Sequence, residues 1–130
     1  MLRATIAVLF TMLTGMATMA RSEVYELRTY TTAPGRLEAL NARFRDHTCR
    51  LFEKHGMKNI GYWTPQDDRK ANTLIYILSH QSREAAAKSW DAFRKDPQWQ
   101  KARAESEKDG KIVDKVESVF LEGLDYSPLK

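Results

Sequence analysis

The run VYELRTYTTAPGR, from Val24 to Arg36, constrains this chain more than any other stretch. Val24 to Thr31 alternates in character and is rich in β-branched and aromatic types, which suit a pleated, half-buried surface. Pro34 and Gly35 stop the strand, and from Leu37 the apolar period lengthens from two to about 3.6. A strand, a turn and a helix start follow one another so closely that the segment marks the first βα unit of an α+β domain.

The helix is expected to run from Arg36 to His55, with Leu37, Leu40, Phe44, Thr48 and Leu51 in one stripe against a sheet and Gly56 closing it in the left-handed conformation. A second strand follows at about Lys58 to Thr64, then the polar loop Pro65 to Lys70, then a nearly continuous apolar strand from Thr73 to Ser79. Ser82 is the expected N-cap of a helix through Arg94, and Asp96-Pro97 restarts a shorter one, aspartate as cap and proline at the first helical position. Gly110 ends it, a last strand occupies about Ile112 to Leu121, and Gly123 to Lys130 is a tail. The order β-α-β-β-α-β predicts a ferredoxin-like unit, a four-stranded antiparallel sheet with helices on one face. Thr73 to Ser79 and Val116 to Leu121 carry bulky apolar residues on both faces, so the uncovered face needs a cover. A two-fold partner sheet is the simplest, giving a homodimer.

A length of 130 residues, 42% hydrophobic and 29% charged, suits one globular domain. The first twenty residues differ in kind: Arg3, the apolar stretch Ala4 to Leu13, then small and polar residues ending Thr18-Met19-Ala20. This is the layout of an export signal cut after Ala20, which predicts a periplasmic or secreted protein with a signal peptide at 1–20. Thr11, Thr14 and Thr18 dilute the stretch too much for a transmembrane anchor, so no stable membrane anchor is expected after cleavage. The net charge of +4 is mild. Arg36, Arg43, Arg50 and Lys54 share one flank of the first helix beside the acidic outer face of Glu38, Asp46 and Glu53, a solvated surface rather than a nucleic-acid footprint. No nucleic-acid partner is expected. Cys49, the single cysteine, falls on that outer face of the helical wheel and reads as a tolerated surface thiol.

Taken together, YELRTYTTAPGR, the helix end LFEKHG and the strand GYWTP resemble the NIPSNAP domain family, and SWDAFRKDPQWQKAR, Ser89 to Arg103, is similar to the same family's second helical region. The resemblance covers residues 23–126, Glu23 to Tyr126. It implies a ferredoxin-like βαββαβ unit that dimerises into an α+β barrel, and it brings no catalytic residues with it. Other dimeric α+β barrels that this architecture resembles include cofactor-independent oxygenases and haem-degrading monooxygenases. By that analogy the alternative is a monooxygenase-like enzyme, with His47, Trp63, Tyr76 and His80 as candidates. The family's association with protein trafficking in eukaryotes suggests a third class, a protein-interaction module, to which a single exported domain is poorly suited.

If Leu27, Ile75 and Ile77 face the helices, alternation sends Glu26, Arg28, Tyr30, Leu74, Tyr76, Leu78, His80, Ser118 and Phe120 into the space between two sheets. Arg28, Tyr30, Tyr76 and His80, with His47 and Trp63, are then the candidate pocket for a small hydrophobic or aromatic ligand. The competing reading makes the tyrosines dimer core. His55 is expected to meet free carbonyls at the helix end, and Trp90 and Phe93, three apart, to pack in the core. His47 and Cys49 diverge on the helix, and no histidine pair has metal-ligand spacing, so no metal site is expected. No glycine-rich phosphate loop or catalytic triad pattern is present, and no cofactor is expected.

Overall fold

The computed structural model describes residues 23–67 and 72–129. The segment expected to be an export signal, residues 1–20, lies outside them. Strand β1 (Val24–Thr32) leads through the turn at Pro34-Gly35 into α1 (Leu37–Arg43), a π-helical stretch (Phe44–Thr48) and α2 (Cys49–Lys54). Strands β2 (Lys58–Trp63) and β3 (Thr73–His80) follow, then α3 (Arg83–Lys95), α4 (Pro97–Ser106) and β4 (Val113–Leu121). The strands form one antiparallel sheet in the order β2-β3-β1-β4, with β1 and β3 at its centre. This is the expected ferredoxin-like arrangement. Each element starts close to its expected place, and α4 ends at Ser106, ahead of Gly110.

Local chemistry accounts for most of these boundaries. Gly56 takes a φ of +80° beyond α2, which a side chain would oppose. The Ser82 hydroxyl accepts a hydrogen bond from the Ala85 amide at 3.0 Å, capping α3. Asp96 does the same for α4 through the Gln98 amide at 2.8 Å, with Pro97 in the first turn. Ser82→Ala is expected to cost about 1 kcal/mol, seen as a lower urea midpoint at unchanged slope. An unchanged midpoint would mean that packing alone holds the first turn of α3.

The core lies between the helices and one face of the sheet. Leu40, Phe44, Leu51 and Phe52 from the first helical run meet Trp90 and Phe93 of α3 above Leu74, Tyr76 and Leu78 of β3. Phe52 is the hub: its ring lies 4.9 Å from Phe93, 5.3 Å from Trp90, 5.9 Å from Phe44 and 6.0 Å from Tyr76, spacings typical of favourable aromatic pairs.

Two expectations are corrected here. The face assignment is inverted: Tyr76 and Leu78 are fully buried and His80 nearly so, all on the helix side, together with Glu26. Leu27, Ile75 and Ile77 face the other way, toward the open side, where Trp63, Val119 and Leu121 are exposed. Alternation groups residues correctly but does not say which group is inside, and the condition that Leu27, Ile75 and Ile77 face the helices is not met. Secondly, Cys49 is half-buried and packs against the core, and burial pushes its thiol pKa up. The π turn before it, where the Thr48 hydroxyl donates to the Arg43 carbonyl at 3.3 Å, changes the helical phase, so a uniform helical wheel misplaces the residues beyond the turn.

Candidate functional site

The centre of the site is Glu26 on β1, 1% exposed and accepting hydrogen bonds from four side chains. His80 Nε2 and Trp90 Nε1 reach Oε1 at 2.9 and 2.8 Å, while Arg28 Nη1 and Ser118 Oγ reach Oε2 at 2.6 and 2.7 Å. The antiparallel register explains the convergence, since Glu26 pairs with Leu78 on one side and Phe120 on the other, which brings His80 and Ser118 within reach on the same face. Burial alone would raise the carboxyl's pKa. The donors from His80, Trp90, Arg28 and Ser118 outweigh it and hold the value at about 2, so Glu26 is a carboxylate at neutral pH.

This carboxylate orients the wall of a cleft. Arg28, held at one end by Glu26, lies with its guanidinium carbon 4.2 Å from the centre of the Trp90 ring, within cation–π range. Arg94 approaches the same indole at 5.6 Å, and Arg43 lies 5.1 Å from the centre of Trp99. Arg28 also reaches the Tyr30 hydroxyl at 3.5 Å, to which Tyr76 donates at 2.9 Å. Burial and the neighbouring Tyr30 raise the Tyr76 phenol well above its ordinary pKa, so it remains a donor. The cleft, about 260 Å³, opens between α3, α4 and the β1–β4 edge of the sheet, with Val113 and Val116 as its strand-side floor.

Of the six candidate residues, the structure brings together Arg28, Tyr30, Tyr76 and His80, though on the helix side of the sheet rather than between two sheets. Arg28 and Tyr30 line the cleft, whereas Tyr76 and His80 stand behind them. His47 and Trp63 do not join them. His47 sits in a separate groove beside Ala42 and Ala102, its Nδ1 3.5 Å from Arg50, and Trp63 lies on the open face of the sheet. Trp90 packs in the core with Phe93 as expected and lines the cleft as well, whereas Arg43, read from sequence as solvated surface, is the residue that reading missed. Arg43 is in fact 5% exposed, tied to the Ser106 hydroxyl at 3.3 Å and to Glu107 at 3.5 Å. One usable signal for the site existed: Glu26, Arg28 and Tyr30 alternate onto one face of a central strand, where a charged pair needs buried partners.

His55 is likewise fixed structurally. Its Nε2 lies 2.7 Å from Asp96 Oδ2, which also accepts from Lys54 at 2.7 Å, so the pair ties the end of α2 to the α3–α4 junction. Hydrogen bonds from Lys54, His55 and the Gln98 amide pull the Asp96 carboxyl well below the usual range.

The sequence matches the NIPSNAP family profile over residues 25–128. The chain belongs to the NIPSNAP family. Solved structures agree at the level of fold. A NIPSNAP family protein of unknown function from Agrobacterium tumefaciens is 21% identical with a TM-score of 0.73, covering 85% of this chain and 96% of its own. An uncharacterised NIPSNAP domain protein from Burkholderia xenovorans is 23% identical at a TM-score of 0.67, covering 81% and 98%. A NIPSNAP-like domain protein from the same organism is 17% identical at 0.71, covering 83% and 90%. No curated protein matches the chain.

Proposed function

We propose that this NIPSNAP protein is an exported homodimer that binds a small hydrophobic or aromatic molecule, and that the molecule occupies the cleft between the helices and the β1–β4 edge. The observation that carries the reading is the Glu26 cluster. A buried carboxylate with four donors is a costly way to fill a core, and it holds Arg28 against Trp90 on the wall of an aromatic-lined opening. His80 and Glu26 do not line that opening, which favours binding over acid–base chemistry. Native mass spectrometry of protein purified from its own host tests the reading. The expected spectrum has twice the protomer mass plus a bound small molecule, lost in Trp90→Phe, which removes the indole donor and part of the ring. A ligand-free spectrum, or retention unaffected by Trp90→Phe, would contradict it.

Dimerisation is supported by the open sheet face. Trp63, Val119 and Leu121 are exposed there, and Leu27, Ile75 and Ile77 are only half-buried, a contiguous apolar surface of the kind that marks an interaction face. An isologous sheet-to-sheet pairing covers it symmetrically. The residues that mediate it are therefore on the Ile75 face, not the Tyr76 face expected from sequence. The double variant Ile75→Asp/Val119→Asp is expected to sediment as a monomer, while a dimer of undiminished affinity would place the interface elsewhere.

A further inference from the structure

The lining of the cleft says more about its ligand than that it is aromatic. Four guanidiniums, Arg28, Arg43, Arg94 and Arg103, face it, against the single carboxylate of Glu107 in the lining and that of Glu26 behind the wall. Their donors are also under-used. An arginine has five N–H groups. Arg28 spends Nη1 on Glu26 and makes one long contact to Tyr30 from Nη2. Arg43 makes its contacts of 3.3 and 3.5 Å both from Nη1, which leaves Nη2 at the cleft free of any hydrogen bond within the described residues. Guanidiniums stacked on indoles keep their N–H groups in the plane of the fork, which matches the two oxygens of a planar carboxylate. Trp90, Trp99, Phe93 and Val116 supply the apolar walls between which a flat ring fits.

Resting on the binding reading above, we infer that the ligand of the helix–sheet cleft is a small aromatic carboxylate, its ring between the tryptophans and its carboxylate on the arginines. Size sets the upper bound. About 260 Å³ lies just below the ~300 Å³ where ligand pockets usually begin, so one or two fused rings fit and a large polycycle does not. The anion also completes the electrostatics of the cleft, offsetting the excess of guanidinium charge in a partly desolvated place.

The test compares two probes of nearly equal shape, 1-naphthoate and 1-naphthalenemethanol, by isothermal titration calorimetry on the purified protein. Naphthoate is expected to bind at least about tenfold more tightly, the scale of a charge-assisted hydrogen bond. That preference should shrink toward parity in Arg94→Gln, whose side chain is at the exposed end of the cleft and whose loss leaves the core intact, and again in Arg43→Gln. Equal affinity for the two probes would overturn the inference while leaving aromatic binding in place. Binding of neither would overturn both. A naphthoate preference unchanged in both variants would overturn the inference as well, because the carboxylate would then be held outside this cleft.

Discussion

Glu26→Ala is expected to destabilise the protein by about 3–5 kcal/mol, the usual consequence of removing one partner from a buried charged pair. Four donors lose their acceptor at once: the His80 and Trp90 ring N–H groups, the Ser118 hydroxyl and the Arg28 guanidinium. Against a typical total stability of about 5–15 kcal/mol, that is a large share. Glu26→Gln keeps the shape and one carbonyl acceptor and should lose less. The pH dependence carries its own signature, because the Glu26 carboxyl is held at about 2 in the folded protein against an ordinary value of 4.5. A depressed pKa stabilises the fold fully above the unfolded value, so this contribution is complete above about 4.5, shrinks as the pH falls, and is gone below about 2. The stability difference between the parent and Glu26→Gln should therefore narrow across that window. Urea titrations at several pH values check both points; a loss under about 1 kcal/mol for Glu26→Ala would mean that the cluster is hydrated in solution.

Phe52→Ala should cost a similar amount, about 3–5 kcal/mol, for a different reason. The ring is 1% exposed and touches aromatic side chains from α3, β3 and the π-helical turn, so truncation leaves a cavity whose walls belong to separate elements and cannot easily collapse. Phe52→Leu refills most of the volume and should recover more than half of the loss. Equal losses for the two variants, measured by chemical denaturation, would show that the ring's aromatic contacts rather than its volume matter.

What the sequence discloses about this molecule divides along a physical line. Strand and helix boundaries are written in local chemistry: Pro34-Gly35, Gly56, Ser82 and Asp96-Pro97 act on the backbone beside them, and the structure puts each where local reasoning does. The grouping of Glu26, Arg28, Tyr30, Tyr76 and His80 was also legible, because the two-residue period of a strand is geometric. Which side that group faces was not. On β3 both alternating sets, Leu74-Tyr76-Leu78 and Ile75-Ile77, are apolar, and on β1 Leu27 is apolar while Glu26 and Arg28 are charged, so local pattern does not place the charged set inside. Glu26 is inside only because His80, Trp90, Arg28 and Ser118 reach it, with partners up to ninety-two positions away in sequence. The π turn at Phe44–Thr48 has no comparable local mark, which is why Cys49 was misplaced on the wheel. Arg43, ahead of that turn, is buried because Ser106 and Glu107 at the end of α4 lie against it, a contact no helical wheel contains. His47 and Trp63 fall outside the site because they belong to other faces of the fold.

The proposed placement of a ligand on the helix side of the sheet is tested most directly by the indole N–H signals of the three tryptophans in a ¹H–¹⁵N spectrum titrated with 1-naphthoate. Trp90 and Trp99 line the cleft, and Trp63 lies on the opposite face of the sheet. The Trp90 and Trp99 signals are expected to move together with one saturation curve while Trp63 stays in place. Movement of Trp63 with Trp90 and Trp99 unchanged would contradict it and put the ligand on the open sheet face.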